Sequence, residues 1–182
     1  MPNQLVILAG PAHAGKSAVA EALCQRYDRM LHIEVAVLRD FLRMGRLRPW
    51  DATTAGRRQR GLLIASTCDL ARRFLGAGYG VIIDDVATPG DLPLYRDALA
   101  GCGHAVHLVL LLPPLDAVLE AERERPSEWH GSERLESLHR QLQAWSGVAV
   151  VDPAGLAPDL VADRVMALAA EGHALLMEAK AT

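Results

Sequence analysis

A short segment near the N-terminus has the residue types and the spacing of a phosphate-binding loop. Residues 10–17 read GPAHAGKS, which satisfies the pattern GxxxxGK[ST] in full. Glycines at both ends allow the backbone to curl so that successive N–H groups point at an anion. A helix beginning at Lys16 adds the positive end of its dipole. In this pattern the lysine contacts the β- and γ-phosphates, and the hydroxyl of Ser17 binds Mg²⁺.

We therefore predict a site for a nucleoside triphosphate, ATP with GTP as the alternative, at this loop. Lys16 is also assigned a catalytic role, because its charge would lie beside the transferred phosphoryl group. The residues predicted to bind the nucleotide are Gly10, Ala12, His13, Ala14, Gly15, Lys16, Ser17 and Ala18.

Two adjacent aspartates end another apolar run. Asp84 and Asp85 follow residues 81–83, which read VII. Two neighbouring carboxylates at the end of a strand are costly unless a cation or hydrogen bonds compensate them. We predict that Asp84 takes a Walker B role toward Mg²⁺ and that Asp85 faces the second substrate.

Residues after the second predicted strand are candidates for the acceptor side. A phosphoryl acceptor with a hydroxyl group needs a carboxylate that orients it and takes its proton. Asp40 is favoured because it lies beyond the strand end; Glu34 and Asp85 are the alternatives. Arg39 and Arg43 are assigned, with Glu34 and Asp85, to substrate binding.

The stretch from residue 39 to residue 60 contains seven arginines and two acids. One interpretation is a solvated surface. The other is a basic wall for an acceptor that already carries phosphate or carboxylate. Trp50, which lies among these arginines, is interpreted either as a stacking platform for a flat acceptor or as a packing anchor.

A charged segment, ERERPSEWHG at residues 122–131, follows the fourth predicted strand. Phosphoryl transfer requires that water be excluded, so residues 123–134 are predicted to form a lid. Arg123 and Arg125 are its predicted catalytic residues, with Arg134 as a further candidate, because their charges suit a γ-phosphate in transfer. The alternative is that these arginines pair with neighbouring glutamates on a helix surface.

The elements that must position these residues alternate between strand-length apolar runs and longer helical stretches. Five strands separated by helices predict an α/β fold, a parallel sheet with helices on both faces. Ligands on such a sheet bind at the carboxyl ends of the strands, where the motifs above lie. The predicted strands cover residues 4–9, 31–37, 81–86, 105–112 and 148–151. The predicted helices cover residues 16–27, 38–44, 57–75, 91–99, 116–123, 133–145 and 159–170.

Composition agrees with one domain over residues 1–182. Half of the 182 residues are hydrophobic and the net charge is −3, which excludes a disordered chain and a polyanion binder that acts by bulk charge. The three cysteines are isolated, with no metal-ligand spacing. The N-terminus has no basic region of a signal peptide and no apolar run is long enough to span a membrane. We predict a cytoplasmic protein, a monomer or a homodimer.

Together the phosphate loop, Asp84–Asp85 and the ERER segment resemble the small P-loop kinases of the nucleoside-monophosphate-kinase group. Within it, the chain looks most like chloramphenicol-phosphotransferase-like and gluconate- or shikimate-kinase-like enzymes, over residues 4–170. The resemblance implies a P-loop NTPase sandwich with five strands in the order 2-3-1-4-5, ATP with Mg²⁺, and lid arginines after strand four. In the D-x-x-Arg pattern of such kinases the arginine is Arg39 and Ala36 takes the place of the aspartate, whereas the strand-end pattern selects Asp40.

The expected activity is transfer of the γ-phosphoryl group of ATP to a hydroxyl of a small molecule. A polynucleotide or nucleotide end kinase is one alternative, supported by the arginines of residues 39–60; it predicts salt-sensitive nucleic-acid binding. The other is a non-catalytic nucleotide-binding module or NTPase, which predicts slow hydrolysis indifferent to any acceptor.

Overall fold

A computed structural model gives the fold, and it describes residues 3–127 and 132–179. The parallel strands are β1 Leu5–Ala9, β2 Met30–Glu34, β3 Gly80–Asp85, β4 Val106–Leu111 and β5 Ala149–Val151. The helices are α1 Lys16–Cys24, α2 Val35–Asp40, α3 Thr54–Gly76, α4 Leu92–Leu99, α5 Leu115–Glu124, α6 Ser132–Gln143 and α7 Pro158–Ala170, and a 3-10 turn, Pro89–Asp91, precedes α4. The strand order β2-β3-β1-β4-β5 confirms the predicted P-loop NTPase sheet.

The central strand β1 is buried on both faces, which explains why its sequence is continuously apolar. Leu5 and Ile7 face a layer built mainly by α3, α4 and α6. Val6 and Leu8 face a second layer built by α1 and α7. Since every parallel strand points the same way, the carboxyl ends of β1, β2 and β3 meet at one edge of the sheet. Residues of all the motifs that follow these strands are therefore brought together there.

The second strand is shorter than predicted. It pairs with β3 from Met30 to Glu34 and the chain then turns directly into α2 at Val35. The apolar residues 35–37 predicted a longer strand, but Val35 is buried against the α3 and α4 layer from the first turn of a helix. Glu34 is therefore the last residue of the strand, at the ligand-binding edge, and does not lie in mid-strand as expected.

A sixth strand, β6 Leu175–Met177, was not predicted. It pairs antiparallel with the first part of β4, where Val106 lies opposite Met177. β5 pairs only with residues 109–111 of β4, so the rest of that edge is available to β6. A strand of three residues is too short to show an alternating pattern, which is why the sequence did not reveal it. Across residues 3–127 and 132–179, no helix combines the length and apolar character needed to cross a bilayer.

One buried histidine has a measurable consequence for stability. His107 on β4 is 3% exposed, and neither ring nitrogen has a hydrogen-bond partner among the residues that the structure describes. Burial lowers the pKa of His107, so its folded-state pKa lies below that of the unfolded chain. Its neutral form is compatible with the fold, and stability is lost as the pH falls through the unfolded pKa, about 6.5.

We expect His107→Leu to raise the free energy of unfolding by about 1 kcal/mol near pH 7, because two unpaired polar atoms leave the core. The gain in the free energy of unfolding should be larger at pH 5, because the unfolded wild-type chain binds a proton at this histidine more readily than the folded one. Urea denaturation at both pH values measures this effect. His173→Leu, at an exposed site, is the matched control; equal pH profiles for wild type and His107→Leu would contradict the prediction.

Candidate active site

The predicted phosphate loop joins β1 to α1 through two glycines with positive φ. Gly10 has φ of +153° and Gly15 has φ of +77°. A Cβ at Gly10 would lie 2.4 Å from the carbonyl oxygen of Leu111 on β4, so any side chain there would push the loop off the sheet. His13 has φ of 64° in the left-handed region, which non-glycine residues seldom adopt. These torsions turn the loop back so that α1 starts beside the strand ends.

Lys16, at the first position of α1, lies over this loop. Its ammonium donates to the carbonyl oxygen of Pro11 at 2.9 Å and is 3.8 Å from Oδ1 of Asp84. The residue is 8% exposed. Lysine 16 is thus held inside the curve of the loop, with its charge partly balanced by a carboxylate.

Three oxygen-bearing side chains meet next to Lys16. The hydroxyl of Ser17 donates its one proton to Oδ2 of Asp84 at 2.5 Å, and the same oxygen lies 3.4 Å from Oε2 of Glu34. Burial raises the pKa of Asp84, but His32, the charge of Lys16 and the Ser17 hydroxyl outweigh it and leave that pKa below its ordinary value. An ionised carboxylate beside a hydroxyl is a donor set that suits Mg²⁺, which prefers oxygen ligands.

The described residues contain no group of three or more His, Cys, Asp or Glu arranged to hold a metal by themselves. This agrees with the Mg²⁺ chemistry of phosphoryl-transfer sites, where one or two protein oxygens are completed by water and substrate phosphates. Ser17 and Asp84 fit that requirement, and Glu34 lies within reach of the same hydroxyl.

Sequence reasoning missed His32. Its Nε2 lies 3.8 Å from Oδ2 of Asp84, beyond hydrogen-bond distance. His32 and Glu34 are two residues apart on β2, so both side chains are on the same face of the strand. The alternation of side chains along β2 could have been read from the sequence once the strand was predicted. It would have indicated that the His32 imidazole shares a face with Glu34.

The structure places Asp85 in a buried ion-pair network. Arg60 of α3 donates to both carboxylate oxygens of Asp85, at 3.0 and 2.5 Å. It also donates to both oxygens of Asp91, each at 3.0 Å. The hydroxyl of Tyr95 donates to Asp85 at 2.7 Å, and burial with this nearby carboxylate raises the pKa of Tyr95. Asp85 is thus already paired, which makes it unsuited to accept a proton from a substrate.

Two of the charged residues predicted after the second strand, Asp40 and Arg43, lie away from this cluster. Asp40 ends α2, is exposed and pairs with Arg46. Arg43 is also exposed. Neither residue lines the cavity described next, whereas Arg39 and Glu34 do. The reason is the early start of α2, which carries Asp40 more than one helical turn past the strand end.

A cavity of about 860 Å³ adjoins the phosphate loop and the Ser17–Asp84–Glu34 oxygens. Its walls come from the loop, from α2, from residues 47–52, from α3 and from the turn before α4. The charged residues that line it are Lys16, Glu34, Arg39, Arg48, Asp51, Arg57, Arg60, Asp84, Asp85 and Asp91. The arrangement places the phosphate loop, the Ser17–Asp84–Glu34 oxygens and a cavity of the size that small ligands occupy in direct contact.

The segment after β4 is connected to the phosphate loop. Glu122 of α5 accepts from His13 at 2.7 Å, and both of its oxygens lie 3.0 Å from the backbone nitrogen of Ser127. Burial raises the pKa of Glu122, but the Ser127 and His13 hydrogen bonds outweigh it, so that pKa lies below its ordinary value. Ser127 lines the cavity. These contacts hold the start of the predicted lid against the nucleotide loop.

Arg123 and Arg125, assigned to the γ-phosphate, are exposed and do not line the cavity; their catalytic role stays a prediction. Residues 128–131 of the predicted lid lie outside the described residues.

Arg134, at the start of α6, lies with its guanidinium 4.4 Å from the ring centre of Trp50, and Arg48 lies 5.7 Å from it. Trp50 thus packs against two arginines, and it also lines the cavity.

Comparison with known proteins agrees with this architecture. The family model described as "AAA domain" matches residues 5–147. No protein with curated function matches the sequence.

Among solved structures, a tunicamycin resistance protein from Deinococcus radiodurans is 21% identical, with 94% of this chain and 97% of that chain covered and a TM-score of 0.69. A gluconokinase from Sinorhizobium meliloti is 17% identical, with 94% of each chain covered and a TM-score of 0.66. An APS kinase from Mycobacterium tuberculosis, in complex with AMPPNP and APS, is 18% identical, with 92% and 97% covered and a TM-score of 0.65. At these identities the likeness establishes the fold.

Proposed function

The chain belongs to the AAA domain family, and from that premise we propose that it is a kinase which transfers the γ-phosphoryl group of ATP to a hydroxyl of a small molecule. The observation that carries the proposal is the contact between the phosphate loop, the Ser17–Asp84–Glu34 oxygens and an adjoining cavity. A nucleotide hydrolase needs no such chamber, whereas a kinase must hold an acceptor in line with the γ-phosphate.

On the nucleotide side, the loop amides would bind the β- and γ-phosphates, and the Lys16 ammonium would leave the Pro11 carbonyl to contact them. Ser17 and Asp84 would hold Mg²⁺, which when bound neutralises charge that develops on the phosphate oxygens. Asp84 suits this task because its lowered pKa keeps it ionised near neutral pH. The side chains therefore supply a polar, largely water-excluded environment for the phosphate chain.

On the acceptor side, Glu34 is the carboxylate best placed to orient the hydroxyl and take its proton. It lines the cavity and ends β2 beside Asp84, and the Ser17 hydroxyl, 3.4 Å away, donates its proton to Asp84 instead. Asp85 is bound by Arg60 and Tyr95, and Asp40 is exposed and bound by Arg46. Glu34 therefore replaces Asp40 as the proposed base.

The nucleic-acid alternative is less well supported. A phosphate backbone needs arginines that project together from the surface, but several arginines of residues 39–60 contact the chain itself. Arg46 binds Asp40, Arg57 binds the carbonyl of Ala52, and Arg60 binds two carboxylates.

The proposal is tested by screening neutral and charged hydroxyl compounds, including antibiotics, sugars and nucleosides, for acceptor-dependent ADP release with Mg·ATP. The expected result is a phosphorylated acceptor, identified by mass spectrometry, in amounts equal to the ADP released. Tight Mg·ATP binding with slow hydrolysis that no acceptor accelerates would favour the non-catalytic module instead.

The contact between His13 and Glu122 leads to a separate prediction. Glu122→Gln removes the charge from a 2.7 Å hydrogen bond that joins α5 to the phosphate loop. We expect the KM for ATP to rise about 3- to 10-fold, corresponding to the roughly 1 kcal/mol of a charge-assisted hydrogen bond, with a smaller change in kcat. Glu120→Gln on the exposed side of the same helix is the control. Identical KM values for Glu122→Gln and Glu120→Gln would contradict an energetic coupling between the phosphate loop and the predicted lid.

A further inference from the structure

The residues that line the cavity also indicate the charge of the acceptor. Resting on the proposed function, we infer that the acceptor is uncharged where it enters the inner end of this cavity. It is a neutral hydroxyl compound with an apolar body, and not a phosphate ester or a carboxylic acid. The inference starts from Arg60, the arginine at that inner end.

Arg60 is committed to two carboxylates of its own chain. Its Nε and Nη2 donate to Asp91, and its Nη1 and Nη2 donate to Asp85, at distances between 2.5 and 3.0 Å. An arginine has five N–H donors, and these contacts use four of them in two forked pairs. The guanidinium therefore has little capacity left to bind an anionic acceptor.

Both carboxylates are fixed in turn. The Tyr95 hydroxyl donates to Asp85 at 2.7 Å, and the backbone nitrogen and hydroxyl of Thr88 each donate to Asp91 at 2.9 Å. Asp85 is 5% exposed and Asp91 is 8% exposed. Burial raises the pKa of Asp91, but Arg60 and Thr88 outweigh it and bring that pKa below its ordinary value. The inner end thus holds the carboxylates of Asp85 and Asp91 and the guanidinium of Arg60, and Arg39 lines the same cavity, so acids of the chain match the positive charge there.

An anionic group placed at this end would meet no unmatched positive charge. To bind Arg60 it would have to displace Asp85 or Asp91, and a buried carboxylate that loses its charged partner is strongly destabilising. A hydroxyl meets no such penalty, because it can donate to a carboxylate or accept the remaining guanidinium N–H.

The wider acceptor side is also balanced in charge. Apart from Lys16 and Asp84, which serve the nucleotide, four arginines and four acids line the cavity. One of these arginines, Arg57, donates to the carbonyl of Ala52. The four arginines that line the cavity are thus matched by an equal number of acids, which does not fit the basic wall that an anionic acceptor requires.

Between the charged groups the walls are apolar. Side chains of this kind favour a ligand whose body is uncharged and partly hydrophobic, held by a few polar groups at one end. The apolar residues that line the cavity include Val35, Leu47, Trp50, Leu63, Val86 and Leu94.

The first test compares matched compounds on enzyme loaded with Mg·AMPPNP: thymidine against thymidylate, glucose against gluconate, and benzyl alcohol against hydroxymethylbenzoate. Calorimetry should give Kd values at least about tenfold lower for neutral members, a difference of about 1.4 kcal/mol. Equal or tighter binding of the anionic members, or no neutral compound that binds, overturns the inference. A neutral compound that binds but is not phosphorylated when ATP replaces AMPPNP would support the inference about charge. The same result would contradict the proposed kinase activity.

The second test changes the charge at the inner end. Asp91→Asn leaves Arg60 with one ionised partner, so loaded Asp91→Asn enzyme should bind inorganic phosphate at least about tenfold more tightly than loaded wild type. Asp97→Asn, an exposed site on α4, should behave like wild type. Circular dichroism checks that each variant is folded. Phosphate binding that is equal in wild type and Asp91→Asn overturns the inference, since Arg60 would then be open to anions already.

Discussion

Lys16→Ala is expected to reduce phosphoryl transfer by about 100- to 1000-fold, equivalent to about 3–4 kcal/mol of transition-state stabilisation. The ammonium lies inside the phosphate loop, 2.9 Å from the Pro11 carbonyl and 3.8 Å from Asp84. It is thus held where the charge of a transferring phosphoryl group would develop, in surroundings that are largely closed to water. Steady-state kinetics with a phosphorylatable acceptor measures the loss, and calorimetry with Mg·ATP measures the accompanying loss of affinity.

The matched control for this variant is Arg29→Ala, which also removes one positive charge but lies at an exposed position before β2. It should bind Mg·ATP and turn over like wild type. If wild type gave no heat with Mg·ATP or Mg·GTP, and Lys16→Ala altered neither binding nor turnover, the loop would not be a triphosphate site.

Glu34→Gln is expected to lower kcat by about 100-fold or more while Mg·ATP still binds, because a general base typically contributes 100- to 10,000-fold. Glutamine keeps the size of the side chain and its contact with Ser17, but it cannot accept the proton of the acceptor hydroxyl. Glu34 faces the cavity at the end of β2, next to the Ser17 and Asp84 oxygens. Measurements of kcat, and of Mg·ATP affinity by calorimetry, separate loss of chemistry from loss of binding.

Asp40→Asn distinguishes this assignment from the one that the sequence favoured. The change is the same in kind, a carboxylate to its amide, but Asp40 is exposed and bound to Arg46 outside the cavity. We expect Asp40→Asn to retain nearly all activity. The opposite pattern, with Asp40→Asn inactive and Glu34→Gln active, would return the base to Asp40 and require α2 to rearrange when the acceptor binds.

Local features of the site were predictable because their chemistry lies in contiguous residues. A strand, eight loop residues with glycine at defined positions, and a helix form one unit whose geometry follows from backbone torsions and hydrogen bonding. The sheet order is not local; the resemblance to small P-loop kinases implied it, and the structure confirms it. The boundary of β2 was predicted wrongly, because residues 35–37 suit a strand by propensity, whereas in the fold a helix begins at Val35, whose side chain packs into the core.

By itself, then, the sequence determined the phosphate loop, the strand-end aspartates and the P-loop sheet. Only the tertiary structure decided which carboxylate is available to serve as the general base. Asp85 is paired with Arg60, 25 positions away in the sequence, while Glu34 lies at the cavity and Asp40 on the surface although they are only six positions apart. The physical reason is that the proton affinity and availability of a carboxylate depend on burial and on the charges around it, and these are set by residues that only the fold brings together.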